Sequence, residues 1–267
     1  MAERPNAVAG TAAFGKFMQV LQLVADAEVP PSAADLVRAS GFPRPTLHRI
    51  VAALQVEDLL CPGSRPGTLA LGPRLIMLAS RSWGRSDLRL AAVEALKALR
   101  DQTGETVHLA VPSSGRMVYI EKLESPSVVR MASRIGASVD LHSTAVGKAW
   151  LAALPAARCE ALLPGLALTA HTPKTVVSLD ALRAQLADVR QRGWSVDDEE
   201  NEPGIRCYGA AILGSDGTPV AAASVSTLRF RQRRDPEAAY VAPLLAACRA
   251  VAANVAATPI LGDVSSL

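Results

Sequence analysis

Ser32-Ala-Ala-Asp-Leu-Val-Arg-Ala-Ser-Gly-Phe-Pro-Arg-Pro-Thr-Leu-His-Arg-Ile-Val51 decides the fold of the N-terminal third. Ser32 stands three residues before Asp35, a capping-box variant whose hydroxyl takes up a free N–H of a helix over 33–39. Leu36 and Val37 give that helix an inward face. Ser40-Gly-Phe-Pro43 is a short turn, and Pro45 suits the first position of the next helix, where its missing N–H costs nothing. Leu47, Ile50, Val51 and Leu54 form the buried stripe of this helix. Upstream, Phe14, Phe17, Met18, Leu21 and Val24 predict an amphipathic helix over 12–27 that ends before Pro30-Pro31. Downstream, Pro62-Gly-Ser-Arg-Pro-Gly67 separates two short apolar runs, the second Leu69-Ala-Leu71, as in a hairpin. Three short helices, a tight turn between the second and third, and a hairpin are the plan of a winged helix-turn-helix.

The third helix would enter a DNA major groove. Its outward positions are Arg44, Thr46, His48 and Arg49, and no carboxylate occurs between Asp35 and Glu57 to repel phosphates. Arg can bind guanine bidentately, and Thr or His can bond a base edge or a phosphate. Arg38 and Arg65 complete the candidate DNA-contacting set. Residues 1–85 carry nine Lys/Arg and six Asp/Glu, whereas 86–267 carry nineteen of each, so the whole net charge of +3 is N-terminal. That is a mild footprint for a polyanion. The competing readings are an ordinary helical bundle with a solvated basic face, and a small-molecule-binding sensor or enzyme whose N-terminal bundle serves only dimerisation.

At 267 residues, with 49% apolar and 20% charged residues, two globular domains are expected. The expected division is a flexible stretch 1–11, a winged helix over 12–72, a linker helix over 73–85 that ends at Gly84, and a larger domain over 86–267. The alanine-rich tail 238–257 is interrupted by Pro243, Arg249 and Asn254, and reads as a core helix rather than a bilayer span. The N-terminus has neither the basic region nor the apolar run of a secretion signal, which points to the cytoplasm and to no membrane partner. Cys61, Cys159, Cys207 and Cys248 lie far apart, so neither a zinc ribbon nor a redox dithiol is indicated.

The larger domain reads as α+β with a mostly antiparallel sheet. A helix capped by Ser86 runs to Gly104, and 106–111, 117–123 and 128–135 look like strands. Helices follow over 143–154 and 179–192. Strands over 205–213 and 220–227 are joined by the hairpin signal Ser215-Asp-Gly217, and a last helix starts near Pro236. The helix opening at Thr144-Ala-Val-Gly147 presents free N–H groups and the positive end of its dipole. With small Ala145 and Gly147 admitting a ligand to the backbone, a small carboxylate would fit there.

Gly41-Phe-Pro-Arg-Pro-Thr-Leu-His-Arg-Ile50 and Leu69-Ala-Leu-Gly72 resemble the recognition helix and wing of IclR-type bacterial regulators. His142-Ser-Thr-Ala-Val-Gly-Lys-Ala149 and Asp197-Asp-Glu-Glu-Asn-Glu-Pro-Gly-Ile-Arg-Cys207 resemble two stretches of that family's effector domain, and the resemblance runs over about residues 12–255. It implies a GAF-like α/β sensor domain, a double-stranded DNA operator, a small organic-acid effector, and a homodimer or homotetramer without a cofactor. The protein would be a repressor or an activator controlling a catabolic operon. The implied effector pocket is lined by Asp197, Ile205 and Cys207, by Ala145 and Val146 at the helix opening, and by Ser224 and Ser226, which alternate on one strand and so face one side. Met131 and Val139 supply its apolar wall. This chain departs from the family pattern at Pro45, Leu69 and Asp140. Catalysis is not expected, because Cys207, His142 and an acid lie on separate segments without a nucleophile elbow. His108, His142 and His171 lack the close spacing of a zinc site, so no metal is expected.

Overall fold

Val20, Leu21 and Val24 of α1 (Ala12–Asp26) meet Leu36 of α2 (Ala33–Ser40) and Leu47, Ile50, Val51 and Leu54 of α3 (Arg44–Val56) in one core. The computed structural model describes residues 11–83 and 87–257. Contacts divide the chain into two compact units, Met1–Arg85 and Ser86–Leu267. In the first, the capping box forms: Ser32 Oγ accepts the Asp35 N–H at 3.3 Å, and Asp35 accepts the Ser32 N–H at 2.9 Å. These bonds hold the Asp35 carboxyl down to about 2. Gly41, at φ +70°, ends α2 in the left-handed conformation that only glycine adopts freely. Pro43 rather than Arg44 flanks α3, so Pro45 is its second residue, not its first. Its missing N–H remains harmless there, because the first four N–H groups of a helix have no partner in the helix.

β1 (Leu60–Pro62) and β2 (Leu69–Leu71) pair antiparallel, Cys61 opposite Ala70. Thr68 bridges to Ser32, and Leu69 donates to the Pro31 carbonyl at 2.9 Å, which ties this wing to the start of α2. α4 (Pro73–Trp83) follows, and its Leu75 packs on the same core. The expected stop at Gly84, the Ser86 cap and all but the last residue of the 1–11 stretch lie outside the described residues.

The second unit is a six-stranded antiparallel sheet in the order β5-β4-β3-β8-β7-β6. Its strands are β3 (Thr106–Ser113), β4 (Arg116–Leu123), β5 (Ser138–Val139), β6 (Ser195–Asp198), β7 (Ile205–Leu213) and β8 (Pro219–Leu228). The pleat sorts β8 by parity. Ala221, Ala223 and Val225 enter the core under α5 (Asp87–Thr103) and α9 (Ala242–Ala257), while Ala222 faces the opposite layer of α6 (Ala145–Ala153), α7 (Ala156–Leu162) and α8 (Leu179–Arg192). The run from Glu237 to Ala256 is long and apolar enough to cross a bilayer, but Leu244, Cys248, Val251 and Val255 bury its face on the sheet, so it is a core helix.

Three sequence expectations need correction. Residues 128–135 form no strand: the carbonyls of Met131 and Ser133 accept from Lys122 Nζ at 2.8 and 2.6 Å, and Val128 is 98% exposed. Two-residue β5 pairs with β4 instead. β6 was not among the expected strands: Asp197 and Asp198 end it, opposite Cys207 and Arg206. Gly147 does not open the helix to a ligand; a Cβ there would lie 2.5 Å from Leu141 Cα, so this glycine packs α6 on the preceding loop.

Gly209 plays the corresponding part on the sheet. A Cβ there would stand 2.5 Å from the Ala145 carbonyl oxygen, which also accepts from Ser195 Oγ at 2.6 Å. The first turn of α6 is thereby seated directly on β7. Gly209→Ala should push α6 off the strand and cost about 1–3 kcal/mol, read as a lower urea midpoint at unchanged m-value.

Candidate functional site

Between the N-terminus of α6 and the sheet lies a cavity of about 140 Å³. β8 contributes Ser224 and Ser226, β7 Ile205 and Cys207, β6 Asp197, and α6 Ala145 and Val146. Met131 and Val139 add apolar surface. All nine residues assigned from sequence to an effector therefore line one space. So do His108, Tyr119, Ser133, Thr144, Asn201 and Glu202, which were not singled out for it. His108 was within reach of the strand argument, because it stands opposite Ser224 and shares its parity. Tyr119 was not, because the β3–β4 register shifts between Leu109 and Ala110.

The polar groups divide into those already bonded and those left for a ligand. Thr144 caps α6, accepting the Gly147 N–H at 3.2 Å and donating to the Asp140 carbonyl at 2.7 Å. Among the described residues, the N–H groups of Ala145 and Val146, the Ser224 hydroxyl and the Tyr119 phenol have no protein partner. Ser226 differs from Ser224. Its Oγ accepts from Cys207 Sγ at 3.1 Å and lies 3.3 Å from His108 Nδ1, and His108 Nε2 lies 2.7 Å from Ser133 Oγ. Burial, reinforced by Lys122, pushes His108 down to about 3, so its imidazole is neutral. Burial raises the Cys207 thiol and the Tyr119 phenol well above their usual ranges, so both keep their protons.

Asp197 is 4% exposed, and burial pushes its carboxyl up to about 7. The N–H groups of Glu200 at 2.8 Å and Asn201 at 3.2 Å bond to Oδ1 and, with the charge of Lys148, limit that rise. Asp140 pairs with Arg116 and with His171, each at 2.7 Å, and so fixes the loop entering α6 where this chain departs from the family pattern.

On the N-terminal unit, Arg44, His48 and Arg49 are exposed and Thr46 is half-buried, on the first two turns of α3 and opposite its core stripe. Arg65 is exposed in the wing turn. Arg38 is also exposed, but it pairs with Asp35 on its own helix, which partly neutralises it. A further cation, Lys16, stands 5.9 Å over the Phe42 ring beside the turn.

The suggested triad does not assemble. Cys207 is engaged with Ser226, while His142 bonds the Thr169 carbonyl at 3.0 Å and stacks on His171. Among the described residues no three His, Cys, Asp or Glu side chains form a metal-binding group.

The buried Asp197 makes stability depend on pH. The folded protein holds this proton up to about 7 and the unfolded chain only to 3.8, so the contribution is complete below 3.8 and is lost as pH rises toward 7. Asp197→Asn keeps an oxygen for the two N–H groups and cannot ionise. Its unfolding free energy minus that of the wild type should therefore rise between pH 4.5 and 7.5, and a flat difference would show that Asp197 titrates normally.

Comparison with known proteins bears on both units. Residues 15–61 match the family described as "IclR helix-turn-helix domain", and residues 81–253 match "Bacterial transcriptional regulator IclR C-terminal". The chain is 34% identical over 214 residues to the HTH-type transcriptional regulator XynR of Escherichia coli strain K12, covering 80% of this chain and 85% of that one. Among solved structures it resembles the Thermotoga maritima IclR, at 28% identity, TM-score 0.74, and coverage of 91% of this chain and 98% of that one. It also resembles an IclR homologue from Microbacterium hydrocarbonoxydans solved with 4-hydroxybenzoate, at 24% identity and TM-score 0.79, covering 92% and 100% of the two chains. The relatives are transcriptional regulators and not enzymes. The matches cover both units, and the chain belongs to the IclR family of bacterial transcriptional regulators.

Proposed function

We propose that this regulator controls a catabolic operon by binding a small organic acid in the cavity of its C-terminal domain. The observation that carries the ligand class is the pair of N–H groups of Ala145 and Val146, without a partner among the described residues, at the positive end of α6 beside the cavity. Ser224 and Tyr119 add neutral donors, and Met131 and Val139 an apolar side. A volume of about 140 Å³ is close to the roughly 150 Å³ cavity known to hold benzene, so an acid of one ring or a short chain fits. The Microbacterium homologue is a precedent for such a ligand on this fold.

Arg44, Thr46, His48 and Arg49 are the proposed operator contacts, with Arg38 and Arg65 on the flanks. The segment 12–72 binds DNA, 73–85 links, and 86–267 senses. The effector favours one arrangement of a homodimer or homotetramer and thereby changes the spacing of paired winged helices on the operator. Acting on DNA, the protein works in the cytoplasm.

Operator binding is tested with the intergenic DNA upstream of the gene. Wild-type affinity should fall steeply with salt, and Arg44→Ala/Arg49→Ala should weaken binding and flatten the salt slope by about two phosphate contacts without lowering the melting temperature. Full affinity in the double variant would remove α3 as the reading helix.

Ligand class is tested by thermal shift and calorimetry with acetate, pyruvate, benzoate and 4-hydroxybenzoate against cationic and bulky apolar compounds. Stabilisation only by the latter would exclude an acid site. Ser224→Ala, which removes an unbonded hydroxyl, should weaken the binding acid by about 1.5–3 kcal/mol, at least about tenfold, and leave operator affinity without acid in place.

A further inference from the structure

α6 is an apolar helix with one charge in the wrong place. Residues 145–152 are all buried, and among them Lys148 is the one ionisable side chain, 2% exposed. Its Nζ lies 2.5 Å from Glu200 Oε1 and 3.1 Å from Gln185 Oε1, and the Glu200 side chain is 6% exposed. One Glu200 oxygen has no hydrogen-bond partner among the described residues. Burying an ion pair with an unsatisfied lone pair costs more desolvation than a well-packed apolar pair of the same volume. Stability alone does not account for it.

Glu200 sits in the turn between β6 and β7, and each of its polar parts holds that turn. Its N–H bonds Asp197 Oδ1, its carbonyl accepts from Thr175 Oγ1 at 2.5 Å, and its carboxylate reaches Lys148. The next two residues, Asn201 and Glu202, line the cavity, as does Asp197. Lys148 lies one helical turn beyond Thr144, the cap of the helix end that faces the same cavity. The pair therefore joins the two walls between which a ligand would lie.

We propose that Lys148 is a positioning residue of the effector site: through Glu200 it holds the 199–204 turn at a fixed distance from the α6 N-terminus, and it supplies the buried positive charge that offsets Asp197 there. This rests on the cavity being the effector site. The charged or titratable groups that face Asp197 are Lys148 from α6, Glu200 and Glu202 from the turn, Cys207 from β7 and Tyr119 from β4.

The test uses the full-length protein. Lys148→Met/Glu200→Leu removes both charges at nearly constant volume and avoids leaving one of them buried alone. Amide hydrogen exchange over 199–204 should accelerate at least tenfold while β7 and β8 keep wild-type protection, and operator affinity without acid should be unchanged. Affinity for whichever of acetate, pyruvate, benzoate or 4-hydroxybenzoate binds the wild type most tightly should fall at least tenfold. The single Glu200→Gln leaves the Lys148 charge unopposed, so Asp197 ionises earlier and the pH at which acid binding is half lost moves down. Part of that shift is the loss of the Glu200 charge itself, so Lys148→Met is measured beside it: without its cation Asp197 keeps its proton to higher pH and the midpoint moves up, which a merely structural Lys148 would not cause. Unchanged exchange in the turn, or an unchanged pH midpoint, overturns the proposal. Faster exchange throughout the sheet also overturns it, because the pair would then hold the fold and not the site. If no acid binds the wild type, the assigned ligand class fails, while the exchange experiment still decides the part played by Lys148 in placing the turn.

Discussion

The cavity of the C-terminal unit depends on one close approach, that of the first turn of α6 to strand β7. A helix comes this near a sheet only where a side chain is missing, and Gly209 below the Ala145 carbonyl provides that, while Gly147 lets the loop at Leu141 pack on the same turn. Ser195 fixes the contact by donating to the same carbonyl. Because the helix starts there, its unpaired N–H groups are brought over the polar parity of β7 and β8 and not into the apolar core. The cavity is the space left where the helix ends and the sheet continues.

The two units handle charge in opposite ways, and this follows from their partners. In the N-terminal unit the cations of α3 and the wing are exposed, where long-range attraction to a polyanion operates and salt can screen it. In the C-terminal unit several ionisable groups are buried: Lys148 with Glu200, Glu121 beside Arg89, and Asp197 at the cavity. Buried pairs contribute little net stability, whereas leaving one partner of such a pair alone is costly, so each holds the other in place.

How much could be read from the sequence varied with how strongly residue type dictates position. The winged helix was legible nearly to the residue, because its capping box, its glycine stop and the apolar spacing of α3 are local signals. β6 was not, because Ser195 and Asp197 point inward and break the rule that inward residues are apolar. The stretch 128–135 failed in the opposite sense. It is rich in residues that favour strands, yet with Lys122 taking its carbonyls it has no ladder to join. Ser224 and Ser226 shared a face as their spacing required, but their difference in availability depends on Cys207 and His108, which lie on other strands. Most of the cavity lining was reached through family resemblance, and the bonding state of each group came only with the fold.

Asp197 and Glu202 on the cavity wall would repel an anion if both were buried and charged, but Glu202 is exposed, and burial governs the state of Asp197. Desolvation disfavours charge, so near neutral pH Asp197 carries its proton much of the time and can then donate to a ligand carboxylate where otherwise it would repel it. The same burial keeps Cys207 and Tyr119 protonated and His108 neutral, so apart from the exposed Glu202 the remaining lining is uncharged. Against that background the N–H groups of Ala145 and Val146 and the dipole of α6 set the local field, because the Lys148 charge is taken up by Glu200, and the sign of that field favours an anion. An effector carboxylate would thus bind together with a proton on Asp197, which makes acid binding weaken as pH rises through about 7. A cationic ligand would need the opposite ionisation of Asp197, and its affinity would grow over the same interval. The slope of affinity against pH therefore identifies the sign of the ligand's charge independently of its chemical identity.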